Sequence, residues 1–458
     1  MTFYTDPAFF VLLAVAVVPA FALGVLEKPL RLYGFAVSIV FLAFLFSKDL
    51  VSLAAFLFYL ALASVATFAY LRVRSQQEAG AHGSKHSTRG QRMEGEKTVP
   101  ERQPDAAREA APDQQPADSS AAPEQQPIPD EQPAPGQQPS SNHKPVHVGH
   151  AAYPLALIAV IAPLFIYKIG AIFDQNILGF LGISYITFKA VQVVLEIHDG
   201  LIKELSPLDY LYLLVFFPSF TSGPILRSRP FVDDVRATLP RADYLELARK
   251  SVVRFIIGAF YKFVCSSVFS IAIWFIPRAL GTGTFATDML GQVGSAWAYA
   301  LFLFFDFAGY SLMAIGVGGL LGVHVPDNFR APFLSVDIKD FWNRWHISLS
   351  WWLRDYVFMR VVRIIRRKKL VKSRLTASCI GYMANMTLMG LWHGITPNYF
   401  VYGLYHGALL SANEAFQKTA FYKRHKDQLA FKVCSWFVTM NLVVVGLALF
   451  SGQIAIGS

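Results

Sequence analysis

The sequence predicts an all-α polytopic membrane protein, and three observations carry that reading. Of 458 residues only 16% are charged, with a mean hydropathy of +0.40, whereas soluble domains carry roughly a quarter charged residues. Apolar stretches of about 18 residues or more recur along the chain, each long enough to cross a hydrocarbon core about 30 Å thick as a helix. One internal segment, 72–150, inverts this composition and separates two apolar regions.

The first region, 1–71, holds three apolar stretches near 8–26, 31–47 and 50–71. Met1 to Pro7 lacks Lys and Arg, and no small-residue cleavage site follows, so the first stretch is expected to stay as a span rather than act as a signal peptide. Residues 72–150 hold eleven of the chain's 25 prolines together with repeated Gln-Gln-Pro triplets. Such a composition cannot bury enough surface to order itself, so a disordered linker is expected. Its nine Lys/Arg against eleven Asp/Glu leave it near −2, so the membrane regions carry about +12 of a chain whose formal net charge is +10.

Residues 151–458 form the larger region, with apolar stretches near 151–170, 176–196, 207–220, 248–277, 291–322, 375–393, 396–416 and 428–450. Some are too short or too long for one simple crossing, so the expectation is about eleven crossings with re-entrant or interfacial pieces. Lys and Arg are retained on the cytoplasmic side. Lys28 and Arg31 after the first span, and Arg72 and Arg74 after the third, therefore predict an outside N-terminus and a cytoplasmic linker, in a multi-pass protein of the cell membrane.

Residues 338–374 disturb the apolar background. Four tryptophans interleaved with Arg, Asp and His read as an amphipathic helix at headgroup depth. Seven cations, from Arg363 through Arg366, Arg367 and Lys369 to Arg374, follow without an acid and place this end on the cytoplasmic face. Their ordinary role is a positive-inside anchor on lipid headgroups.

Polar groups at membrane depth are costly and mark functional candidates. His393 ends an apolar helix between Gly390 and Gly394. Asn385 lies eight residues earlier on roughly the same helical face, His406 thirteen residues later, and His346 forty-seven residues before His393. An imidazole with a pKa near 6.5 can take a proton from a hydroxyl and return it. A hydroxyl attacking a thioester needs that base and a donor for the carbonyl oxygen, for which His346, a Trp ring N–H such as that of Trp345 or Trp392, Asn343 or Arg344 are candidates. For any one such histidine, helix packing is the commoner role. Asp306, and Glu196 near His198, read equally as salt-bridge or capping residues. Cys265, Cys379 and Cys434 have no paired spacing, and no metal site is expected.

Several motifs resemble the membrane-bound O-acyltransferase family: Phe341-Trp-Asn-Arg-Trp-His-Ile-Ser-Leu-Ser, Leu353-Arg-Asp-Tyr, Met389-Gly-Leu-Trp-His-Gly, Val401-Tyr-Gly-Leu-Tyr-His-Gly, Phe305-Asp-Phe-Ala-Gly-Tyr-Ser and Phe217-Pro-Ser-Phe-Thr-Ser-Gly-Pro-Ile. The resemblance covers most of 1–71 and 151–450, and implies a ring of helices around a central tunnel. It assigns His393 as the catalytic histidine and His346 as its support, with Asn343, Arg344, Trp345, Asn385, Trp392 and Asp306 along the tunnel. The basic run after Leu353-Arg-Asp-Tyr is similar to the branch that transfers D-alanine toward teichoic acid. That branch implies no bound cofactor, a donor thioester on the 4'-phosphopantetheine of a small acidic carrier protein, and an extracytoplasmic acyltransferase-like partner. Arg366, Arg367 and Lys369 are then the expected carrier contacts, with membrane lipids and no nucleic acid as other partners. Acetylation of an exopolysaccharide such as alginate is the alternative within the family, and a transporter or channel the alternative of another class.

Overall fold

A computed structural model describes residues 6–90, 151–281 and 283–456, and among them the backbone is helical, with one isolated bridge between Phe329 and Trp345. Lipid offers no partner to a backbone amide, so an apolar chain closes its hydrogen bonds as helix. The N-terminal helices are α1 (Pro7–Val25), α2 (Arg31–Phe46) and α3 (Leu50–Gly90). After the linker come α4 (Ala152–Gly170), α5 (Ile183–His198), the short α6 (Pro207–Val215) and α7 (Ser228–Arg236). Helices α8 (Arg241–Phe260) and α9 (Ser266–Leu280) join through a π turn and are followed by α10 (Phe285–Leu320). A broken segment holds α11 (Ile338–Arg344), α12 (Ile347–Leu353) and α13 (Met359–Arg367). The chain then closes with α14 (Arg374–His393), α15 (Pro397–Phe416), α16 (Ala420–His425) and α17 (Leu429–Ser451).

Among the described residues six helical rods are long and apolar enough to cross a membrane: α1, α3, α4, the joined α8–α9, α10 and α17. Helix α2 is apolar but shorter. The stretch 207–220, expected to be too short to cross simply, stops after nine helical residues and turns at Pro218. Two units are distinguished, Met1–Arg72 with Ala151–Ser458, and Val73–His150. Helix α3 runs on to Gly90, so the first part of the expected disordered segment is helical, and residues 91–150 lie outside the described residues.

Burial sorts the helices by what they face. On α5, 13 of 16 residues are buried, including Lys189, Gln192 and Glu196. The α8–α9 rod instead exposes Ile256, Phe260, Ile271, Trp274 and Phe275, an apolar surface suited to hydrocarbon.

The single amphipathic helix expected over 338–374 does not form. His346 takes a left-handed conformation at φ 45° and ends α11; a π turn, Arg354–Phe358, separates α12 from α13. Trp342, Trp345 and Trp352 are buried inside the protein rather than set at the headgroups. Trp352 shows why: its ring N–H donates to the Phe188 carbonyl at 3.2 Å, a partner only the interior supplies.

Charged groups tie loop ends together on one face. Asp209, fully buried, pairs with Arg236 at 2.6 Å and with Arg31 at 2.6 Å. The Arg31 contact is out of line for a hydrogen bond, and its guanidinium donates to Ser206 instead. Glu196 accepts from Ser228 and Tyr356, Arg360 pairs with Asp199 at 2.5 Å, and Tyr153 stacks on His198, which bonds Tyr70. Asp234 accepts from the His324 backbone at 2.7 Å and its ring at 3.0 Å.

Two predictions follow from these pairs. Replacing Arg31 and Arg236 together by Met strands the buried Asp209 carboxylate and costs about 3–5 kcal/mol, read as loss of thermal stability in the solubilised protein. Asp209→Asn costs less, because both arginines reach solvent; an equal loss would contradict the pairing. The hydrogen bond from Asp234 raises the His324 pKa above 6.5 despite partial burial. The stability this pair contributes is therefore fully present below about pH 6.5 and is lost as pH rises through the folded value. His324→Gln should separate from wild type in thermal melts only at the acidic end; a constant gap across pH would refute the linkage.

Candidate active site

His346 is held by a buried polar clamp. Asn328 accepts from the Ile347 amide through its backbone carbonyl at 2.9 Å and from the Ser348 hydroxyl through its side chain at 2.6 Å. The Asn328 amide donates to Ser311 on α10 at 3.0 Å, and Ser348 Oγ accepts from the Ile225 amide at 3.0 Å. These bonds fix the left-handed turn that aims the imidazole inward. Phe307 lies edge-on to the ring, centroids 4.7 Å apart. Both ring nitrogens of this buried imidazole lack a hydrogen-bond partner.

His393 is the last residue of α14. Helices α14 and α15 approach closely because Gly390 and Gly403 face each other's backbones: a Cβ on Gly390 would strike the Tyr399 carbonyl, and one on Gly403 the Met386 carbonyl. The His393 carbonyl, one of the open acceptors at a helix C-terminus, accepts from Lys168 Nζ at 3.0 Å. Trp392 and Phe450 flank its imidazole at 4.6 and 4.9 Å. His346 and His393 are close enough to interact electrostatically.

A third histidine completes the cluster. His406 is 1% exposed, with both nitrogens partnerless, and contacts Trp342 at 5.1 Å and Tyr402 at 4.7 Å. The ring N–H groups of Trp342 and Trp392 and the amide oxygen of Asn385 are likewise buried without partners. Buried polar groups are nearly always paired, so this concentration of open donors and acceptors marks a surface shaped for a ligand.

Two cavities reach the cluster. One of about 710 Å³ is lined by His393, Trp392, Lys168, Thr221 and the loops holding Asp49 and Asn176. The other, about 250 Å³, is lined by Trp342, Asn343, Asn385, Arg354 and Met359. Asn385 and His393 stand about two turns apart on α14, so one helix carries groups of both cavities.

Other candidates read from sequence serve other contacts. Arg344 pairs with Asp340 at 2.8 Å, and Asp306 with Lys262 in the π turn before α9. Trp345 stacks on Phe341 at 5.4 Å within an aromatic cluster and does not offer its N–H to the imidazoles. Arg366, Arg367 and Lys369 are exposed and form no ion pair among the described residues. Sequence reasoning missed Asn328, Ser348, Lys168 and the Trp342 N–H; of these Trp342 and Ser348 lay inside a motif already singled out. Among the described residues no three His, Cys, Asp or Glu side chains gather as metal ligands.

The arrangement can do acid–base chemistry in a dry site. An imidazole without a competing partner can accept a proton from a hydroxyl, and preorganised N–H donors can hold an oxyanion where no water competes.

The sequence pattern of the membrane-bound O-acyltransferase family matches residues 145–450. The teichoic acid D-alanyltransferase of Bacillus subtilis (strain 168) is 41% identical over 308 residues, 65% of this chain and 77% of that one. The corresponding protein of Streptococcus thermophilus is 40% identical over 305 residues, 64% and 74% of the two chains. A probable alginate O-acetylase of Pseudomonas syringae pv. tomato is 33% identical over 278 residues, 60% of this chain and 49% of that one. With both histidine motifs inside the matched region, this chain is a polytopic acyltransferase and belongs to the membrane-bound O-acyltransferase family.

Proposed function

We propose that the chain moves D-alanine from a thioester on the 4'-phosphopantetheine of a small acidic carrier protein to a hydroxyl beyond the membrane. The acceptor is a cell-envelope polymer such as teichoic acid, reached directly or through a hydroxyl on an extracytoplasmic partner protein. The observation that carries this reading is a histidine cluster with open capacity: the buried imidazoles of His346 and His406 lack partners, His393 lines a cavity opening by Asp49 and Asn176, and Asn385 on the same helix lines a second cavity bordered by the start of α13. Relatives named for D-alanyl transfer match at higher identity and over more of their length than those named for alginate acetylation, which favours the aminoacyl donor.

The donor side is the face of Arg31, Arg72 and the basic run, read as cytoplasmic, with the N-terminus outside. A phosphopantetheine arm enters past Arg354 and Met359 and brings its thioester toward His346. His393 takes the proton of the acceptor hydroxyl as its oxygen attacks the carbonyl carbon. The oxyanion is held by N–H donors of the Trp342, Trp392 and His346 set. The C–S bond then breaks, and the proton passes to the departing sulfur, restoring the carrier thiol and the neutral imidazole.

His393→Ala should cut thioester consumption from labelled D-alanyl carrier by about a hundredfold or more while the yield of folded protein stays unchanged. Loss of folded protein instead would assign the residue to packing. Reversing Arg366, Arg367 and Lys369 to Glu should weaken carrier binding most at low salt and little at high salt. Binding equal to wild type at every ionic strength would remove the carrier from this face.

A further inference from the structure

A third cavity lies apart from the histidines, among α15, α16, α17 and the strand of chain entering α11. We infer that it is a binding site for an anionic phospholipid of the leaflet on the donor face. Its volume is about 390 Å³, and its walls are mostly apolar: Leu409, Phe416, Phe431, Val438 and Leu442 among them. Lys426 and Lys432 also line it, both exposed and both without an ion pair among the described residues. An apolar wall with paired cations at its edge matches an acyl chain below a phosphate, and each cation near such a surface attracts anionic headgroups.

The acids nearby do not cancel this match. Asp337 lines the cavity, but its carboxylate accepts from the Lys339 and Asp340 amides at 2.8 and 2.9 Å and from Asn413 and Gln417 at 3.4 and 3.1 Å. Asp427 is exposed and stands against Lys423, Arg424, Lys426 and Lys432, leaving the rim positive. The level is also right. The α16–α17 junction sits at the end of α15 where Glu414 meets Lys339 and Tyr382, the end of α14 nearest the basic run. Thr439 fixes the inner wall by donating to the Val336 carbonyl at 3.2 Å, just before the helix that leads to His346.

The class of occupant can be separated from general surface attraction. Lys423 and Arg424 lie on α16, just before Lys426, but do not line the cavity. The full chain in nanodiscs of phosphatidylcholine with phosphatidylglycerol would be released for native mass spectrometry and scored for retained phosphatidylglycerol. Lys426→Glu with Lys432→Glu should lower retention, by about fivefold for each charge, and Lys426→Gln with Lys432→Gln should lower it less. Lys423→Glu with Arg424→Glu should leave it unchanged. Cys434, which also lines the cavity, gives a second readout in a Cys265→Ser, Cys379→Ser background that elutes as wild type does. Its alkylation by N-ethylmaleimide should be slower in discs containing phosphatidylglycerol than in phosphatidylcholine alone. Equal losses from the two charge pairs, or Cys434 labelling that ignores headgroup charge, would overturn the site.

Discussion

Water does not reach the middle of a lipid-embedded helical protein, so each polar group buried there must be closed by another protein group. Most of this molecule obeys that constraint through specific pairs. Lys189 Nζ donates to the Leu213 carbonyl at 3.0 Å and so caps the end of the short α6, while Tyr310 meets Thr221 at 2.8 Å and Tyr210 meets Thr67 at 2.9 Å. The exceptions among the described residues are informative because half of them cluster: Trp342, His346, Asn385, Trp392 and His406 keep open polar atoms around the histidine motifs, while single groups on Arg31, Gln77, Gln192, Asp209, Tyr212 and Arg360 lie elsewhere. An acyl-transfer site needs such unfilled capacity, and the closed network around it holds the open groups in place.

Helix ends do the positioning. His346 precedes the first turn of α12 and His393 closes α14, so each imidazole stands where the regular ladder stops and the backbone can turn inward. Two different devices make those ends tolerable. At His346 the Asn328 clamp satisfies the amides of Ile347 and Ser348, and at His393 the Lys168 ammonium meets the terminal carbonyl. The left-handed conformation of His346 is uncommon for a residue with a Cβ, and an irregular backbone of this kind is sustained only when surrounding bonds over-determine it. One device comes from the loop after α10 and the other from α4, so the placement of both imidazoles is a property of the tertiary fold.

That dependence explains what the sequence could and could not disclose. The helical class, the crossing character of α1, α3, α4, α10 and α17, and the two histidine motifs were legible because apolar length and isolated polar residues are local signals. Three of the four tryptophans were misread because Trp at a membrane surface and Trp in a core look alike in one dimension; Phe188, which receives the Trp352 N–H, lies 164 residues away in sequence. Asn328 and Lys168 were invisible for the same reason, since an Asn in a loop and a Lys near a helix end have ordinary solvent roles. Arg344 and Asp306 drew attention as charges beside motifs, yet each had a partner within reach, Asp340 one turn away and Lys262 across the helix pair.

Charge on the face of the basic run makes the same case at larger scale. Several of its carboxylates are already engaged: Asp199 with Arg360, Asp355 with Arg227, Asp209 with Arg31 and Arg236, and Glu414 with Lys339 and Lys418. Those pairs fix loops and helix ends, so their acids are not free to move to the run from Arg363 to Arg374. Glu196 and the π turn place that run next to the smaller cavity, because Tyr356 is bound to Glu196 at 2.5 Å and Arg227 lies over its ring at 5.1 Å. Positive charge beside the smaller cavity, unneutralised by acids of the described residues, attracts counter-charge such as lipid headgroups or an acidic protein. A carrier that also delivers a thioester would satisfy the charge and supply the reaction in one docking event, whereas lipid would satisfy the charge alone.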